Sequence, residues 1–163
     1  MKKRIFSVLC QNIPGVMMRV SREFTRRQIN LDSVTVGIEP TGLARMILIF
    51  NADDMMADFM RRVLLRAEPV VDVEVIDPAK SIVREVALLR TKPLEDSQLW
   101  SVVTEIERAG GKVIDSKGGM LIAELSGDHE DIERIVKKLG PEILKEVARS
   151  GQVLISREER CKR

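Results

Sequence analysis

An α+β protein of two small domains, each with the element order βαββαβ, is what this sequence predicts. Strand-like alternation and helix-like apolar spacing follow one another in that order over residues 4–76, and again over residues 82–155. A turn cluster falls in the middle of each half, Pro40-Thr41-Gly42 in the first and Lys117-Gly118-Gly119 in the second. A short echo, Asn30-Leu31-Asp32-Ser33 against Val113-Ile114-Asp115-Ser116, follows the first helix of each half.

Residues 4–10 form the first strand, with Phe6, Val8 and Cys10 on one face and Ile5 and Leu9 on the other. Pro14 is expected in the first turn of the next helix, whose stripe is Ile13, Val16, Met17, Val20 and Phe24. A strand begins at Asn30 and sets Leu31, Ser33 and Thr35 opposite Val34 and Val36; residues 44–50 return as its neighbour. Asp53 and Asp54 open a helix that runs through Arg66, with acids at its start and arginines at its end, as the helix dipole prefers. A Val-rich strand over 70–76 closes the half.

The second half repeats the plan. Residues 82–89 are a strand, and 95–109 a helix carrying Leu99, Val102, Val103 and Ile106 that stops at Gly110-Gly111. Residues 112–115 and 120–125 pair as a hairpin. An Asp-capped helix covers 128–139, and a last strand lies within 143–155. Both halves are therefore expected to be ferredoxin-like, with domains at 1–78 and 79–163 joined near Pro78 to Ser81. Each is small for an independent core, so association is expected.

Composition narrows the function. Of 163 residues 44% are hydrophobic and 32% charged, but only four Phe and one Trp are aromatic, so Val, Ile, Leu and Met must build the core. The net charge of +2 is spread along the chain and leaves no footprint for nucleic acid or an anionic membrane. RNA-binding modules with the same element order need stacking aromatics on their central strands, and here only Phe6 and Phe50 are available. Cys10 and Cys161 form neither a disulfide framework nor a metal spacing, and Cys10 is expected buried. The apolar run 5–10 is too short for a signal peptide or a span, so a cytoplasmic protein is expected.

Catalytic groups are scarce. His129 is the single histidine, set among acids in the first turn of a helix, where a solvated residue is expected rather than a metal ligand. The pairs Asp53-Asp54 and Glu95-Asp96 serve helix starts, and no nucleophile, phosphate-binding or metal motif is present. The chain is expected to be no enzyme on its own, with no metal or cofactor of its own.

The turn Gln11-Asn12-Ile13-Pro14-Gly15-Val16, between first strand and first helix, is the candidate site. Helix-start N–H groups suit a carboxylate, Gly15 adds no Cβ above its backbone, and Asn12 offers a carbonyl oxygen to an ammonium group. Carboxylate, ammonium and a nearby apolar patch together describe a free aliphatic amino acid.

Asn12-Ile13-Pro14-Gly15-Val16 with Arg19-Val20, then Arg27 through Val36, then Ala44-Arg45-Met46, resembles an ACT domain. More narrowly it resembles the one heading the small regulatory subunit of acetolactate synthase (acetohydroxyacid synthase). The segments Glu146-Val147-Ala148-Arg149-Ser150-Gly151 and Ile155-Ser156-Arg157 are similar to that family's closing motif. The likeness runs from about Arg4 to Arg157. It implies a catalytic partner that uses thiamine diphosphate, magnesium and FAD to condense two pyruvates, or pyruvate with 2-ketobutyrate, in valine, leucine and isoleucine synthesis. It also implies a homodimer with effector sites between ACT domains, activation of the large subunit, and feedback inhibition by a branched-chain amino acid, valine in most members. By motif position Asn12, Gly15 and Val16 contact effector from one chain and Asn30 from the other; Gln11, Ile13 and Leu31 line the pocket. Met17 stands where the family commonly has Leu, and Ile47 where a Thr is frequent. A stand-alone ACT sensor that regulates another protein is the alternative the closing motif disfavours.

Overall fold

The computed structural model describes residues 1–157; Cys161, expected in a charged tail, lies outside the described residues. Contacts divide the described residues into Met1–Ile82 together with 153–157, and Val83–Gln152.

In the N-terminal unit the order is β1 (Lys2–Cys10), α1 (Val16–Thr25), β2 (Leu31–Ile38), β3 (Ala44–Ala52), α2 (Asp54–Leu65) and β4 (Val70–Val75). The strands form one antiparallel sheet ordered β2-β3-β1-β4, so β2 is an edge. Alternation does the sorting: Phe6, Val8 and Cys10 of β1 and Met46, Leu48 and Phe50 of β3 point at the helices and are fully buried. Val16, Val20 and Phe24 of α1 and Ala57, Met60 and Leu64 of α2, at helical spacing, meet them. Asp53 caps α2 by accepting from the Met56 N–H at 2.7 Å. Arg4 donates to Ala52 O and to Asp54 Oδ1 at 2.5 Å, and this bond, reinforced by the guanidinium charge, holds the Asp54 carboxyl below the ordinary range.

Two local expectations are corrected. Pro14 lies outside α1, because Gly15 is left-handed (φ 82°) and the helix starts at Val16. In β2 the face assignment changes phase at Asp32, where a bulge sets Leu31 opposite Phe50 but Ser33 opposite Ile49. Leu31, Val34 and Val36 thus share the helix side, and Ser33 and Thr35 the other.

The C-terminal sheet takes β5 (Ser81–Thr91), β6 (Lys112–Lys117), β7 (Met120–Gly127) and β8 (Leu144–Ser156) in the order β6-β7-β5-β8, after one 3-10 turn at Pro78–Lys80. Its helices are α3 (Asp96–Arg108) and α4 (His129–Ile143). The fold class read from the sequence is the observed one. Gly118 and Gly119, both at positive φ, make a two-residue turn between β6 and β7. α4 breaks at Gly140 (φ 64°, ψ 177°) ahead of Pro141, so its regular part ends at Leu139 as expected. Ala87, Leu89, Val102, Ile106, Leu121, Ala123, Leu125 and Ile132 fill the core.

Gly111 permits the tightest approach here. A Cβ there would stand 2.4 Å from Leu125 Cδ2, 2.7 Å from the Glu124 carbonyl oxygen and 2.9 Å from Ile106 Cγ2. Gly111→Ala is expected to cost about 1–3 kcal/mol, since backbone must move to admit one methyl. Urea unfolding of this variant beside Gly110→Ala checks it. Gly110 has nothing within 4 Å of the added methyl, only the strain of φ 76°, so its loss should be smaller.

Candidate functional site

The candidate turn is built by its own backbone. Cys10 ends β1 with its thiol directed to Ala44 O at 3.4 Å, and burial pushes that thiol's pKa up, so it is packing and not a nucleophile. Gln11 N–H then bonds Pro69 O at 2.8 Å, Ile13 N–H bonds Gln11 O at 3.1 Å and Val16 N–H bonds Ile13 O at 3.3 Å. These bonds fold the five exposed residues Gln11 to Gly15 over the end of the sheet, while Val16 turns inward to the core. The space where a Gly15 Cβ would stand is open to at least 4 Å.

The start of α1 differs from those of the other three helices. α2 has Asp53 and Asp54, α3 has Glu95 and Asp96, and α4 has Asp128, Glu130 and Asp131 at the cap or first turn. α1 has a glycine cap and no acid in its first turn. Its leading N–H groups and its partial positive charge are met by no side chain of its own. An anion is the complement of such an end.

Within one chain the expected residues are not all brought together. Cys10 aligns through Ala44 with Ile38, so the turn 11–16 and the end of β2 share one end of the sheet. Leu31 aligns through Phe50 with Arg4, six residues back along β1, about 20 Å at strand rise. Asn30 and Leu31 therefore sit at the opposite end from Gln11, Asn12, Ile13, Gly15 and Val16. Asn30 is exposed and its Nδ2 donates to Asp32 Oδ1 at 3.1 Å, while Asn51 holds the other Asp32 oxygen at 2.7 Å. Leu31 is half-buried against the core.

Sequence reading missed a strip along the edge. Val34, Val36 and Ile38 lie on the helix side of β2 yet stay 37%, 38% and 68% exposed, and Ile13 and Met17 are exposed too. The bulge at Asp32 hid it by reversing the phase of β2. His129 keeps 38% of its side chain exposed, as expected, but it also has a partner the sequence did not announce: its Nδ1 lies 2.6 Å from Glu85 Oε2, a buried carboxylate on β5 that Arg149 approaches at 3.7 Å. No local pattern announces a partner 44 residues away. Among the described residues no cluster of three or more His, Cys, Asp or Glu is placed to hold a metal, and no helix is long and apolar enough to cross a membrane.

The family model for the AHAS small subunit-like ACT domain matches residues 6–67, and the one for the small subunit of acetolactate synthase matches residues 84–158. A probable acetolactate synthase small subunit of Methanothermobacter thermautotrophicus is 31% identical over 96% of this chain and 94% of its own length. The chain belongs to the acetolactate synthase small-subunit family. The family's small subunit from Mycolicibacterium smegmatis is 29% identical over 94% of this chain and 91% of its own. The crystal structure of the acetolactate synthase small subunit from Thermotoga maritima superposes with a TM-score of 0.89, at 31% identity, over 98% of this chain and 99% of that one. The ACT domain read from the sequence thus contains the candidate turn, and membership of a small-subunit family implies a catalytic large subunit as partner.

Proposed function

We propose that this chain is the regulatory subunit of an acetolactate synthase, a homodimer that activates the catalytic subunit and makes it sensitive to valine or another branched-chain amino acid. The observation that carries the reading is an edge strand, β2, whose start lies at the opposite end of the sheet from the turn 11–16. β2 is an edge strand, and two antiparallel copies of it, related by a two-fold axis, set the start of one beside the end of the other. That pairing moves a partner's Asn30 and Leu31 to the sheet end that holds Gln11 to Val16. It also removes an open edge and gives Val34, Val36 and Ile38 something to cover them.

The bridging ligand is read from chemistry. The α1 N-terminus takes the carboxylate, Asn12 and the partner's Asn30 take polar contacts including the ammonium, and Ile13 and Leu31 wall the aliphatic side chain. A ligand held by both chains favours one dimer geometry and can shift the equilibrium by its differential affinity, about 1–3 kcal/mol. Thiamine diphosphate, magnesium and FAD belong to the catalytic partner, and the assembly works in the cytoplasm on branched-chain amino-acid synthesis.

Reconstitution with the large subunit tests this. The chain alone should form no acetolactate from pyruvate, its addition should raise the large subunit's rate, and valine, leucine or isoleucine should lower that rate again. Sedimentation of the full chain should give a dimer. Acetolactate formed by this chain alone, or a catalytic subunit indifferent to it, would remove the reading.

A further inference from the structure

The C-terminal unit holds a cavity of about 360 Å³ where the end of α3, the end of β7 and the start of α4 converge. Its volume is in the range of small-molecule sites. The floor is apolar, made by Leu125 and Ile132, each 2% exposed, with Ile135 and Ala109 beside them. The walls carry charge of both signs. On α3, Glu105 meets Arg108 at 3.5 Å and, from α4, Lys138 at 2.5 Å; on α4, Asp131 meets Arg134 at 2.8 Å. The floor ends at Ser126 and Gly127, which lead into α4. There the cap residue Asp128 makes no side-chain bond to the helix, its carboxylate being held by Arg84 at 2.5 Å.

We propose that this cavity is a second ligand site, for a zwitterionic amino acid with an aliphatic side chain, contained in the C-terminal unit and independent of the turn at α1. Charge pairing sets the class. A simple anion would draw Arg134 from Asp131 and a simple cation would draw Asp131 from Arg134, whereas Glu105 keeps Lys138 when Arg108 moves. A zwitterion replaces both halves of a pair at once, its carboxylate on Arg134 and its ammonium on Asp131 or Glu105. The helix ends add to this polarity, because α3 presents its carbonyl end and α4 its N–H end to the same space. The aliphatic part then covers Leu125, Ile132 and Ile135.

Methyl NMR of the full-length protein labelled at Ile, Leu and Val, titrated with L-leucine to about 10 mM, tests the site. The Leu125, Ile132 and Ile135 methyls should shift saturably, and isovalerate or isoamylamine, each bearing one of the two charges, should not reproduce the shift. Ala109→Trp fills the cavity from an exposed position, and Arg134→Glu keeps its shape and reverses one wall; each should weaken the leucine response at least tenfold. Three results overturn the proposal: no saturable shift at those methyls, an equal response to isovalerate or isoamylamine, or a response unchanged in both variants. Shifts confined to Ile13, Val16 and Leu31 also overturn it while leaving the reading of the N-terminal site intact.

Discussion

Gly15→Asp and Asn30→His are each expected to give a folded protein that still raises the activity of the catalytic subunit but has lost its response to valine. Gly15 is exposed, and nothing stands within 4 Å of an added Cβ, so the substitution meets no part of its own chain. Its φ of 82° costs an L-residue about 1–2 kcal/mol, partly offset because a carboxylate at a helix N-cap is itself favourable. That offset is also the mechanism of the loss. The new carboxylate occupies the positive end of α1, among the described residues the one helix start without an acid, and repels the carboxylate of the proposed ligand. Asn30→His removes the amide that bonds Asp32, which keeps its contact to Asn51, so an exposed strand start loses little stability. What it loses in the proposed dimer is a polar contact across the two-fold, worth about 1–3 kcal/mol if the ligand's group is left buried. The half-inhibitory valine concentration should rise at least tenfold in each variant, equivalent to about 1.4 kcal/mol. Thermal unfolding, activation and inhibition are to be measured on the same preparations. Normal valine inhibition in both would sink the site, and unfolded protein would show these residues to be structural.

Local chemistry was legible and cross-strand chemistry was not. The stripe of α1 could be read because Val16, Val20 and Phe24 repeat at the helical period and all three are buried. Its outer members Ile13 and Met17 proved exposed, since the left-handed Gly15 delays the helix and only part of an amphipathic face finds cover. The end of α4, the cap of α2 and the Gly118-Gly119 turn were equally visible, each resting on residues within a few positions of one another. The bulge at Asp32 was invisible because register is decided by hydrogen bonds between β2 and β3, and one extra residue reverses every face beyond it. The Glu85–His129–Arg149 group and the cavity over Leu125 were hidden for the same reason: their members come from three elements each. For the candidate site, the turn 11–16 was singled out by its own chemistry. That Asn30 belongs to it was implied by resemblance alone, and the sheet register shows only that Asn30 and the turn lie at opposite ends of one sheet and do not meet within a chain.

Phe50→Ala should be the most damaging single change in the N-terminal unit. Phe50 is fully buried on β3 and makes two edge-on ring contacts, one within the sheet to Phe6 of β1 and one to Phe24 of the first helix. Its centroid lies 4.9 Å from Phe6 at 87° and 5.1 Å from Phe24 at 71°. With only four Phe and one Trp in the chain, these three rings are most of its aromatic content, and the smaller side chains around them cannot refill the space. Truncation should cost about 3–5 kcal/mol in lost transfer energy and residual cavity. A domain of this size has about 5–15 kcal/mol in total, so the unit would be left close to its unfolding threshold. Because Phe50 is also the register partner of Leu31, loosening it should reach the edge strand and weaken any dimer built on β2. Urea unfolding followed by methyl signals of both units should therefore separate into two transitions, with Val20 and Leu48 lost early and Val102 and Leu121 near their original midpoint. Phe50→Leu, which keeps most of the volume, should fall by less than about 1.5 kcal/mol. A loss under about 1 kcal/mol for Phe50→Ala, or a single transition shifted equally in both units, would show that this ring triad does not hold the N-terminal core.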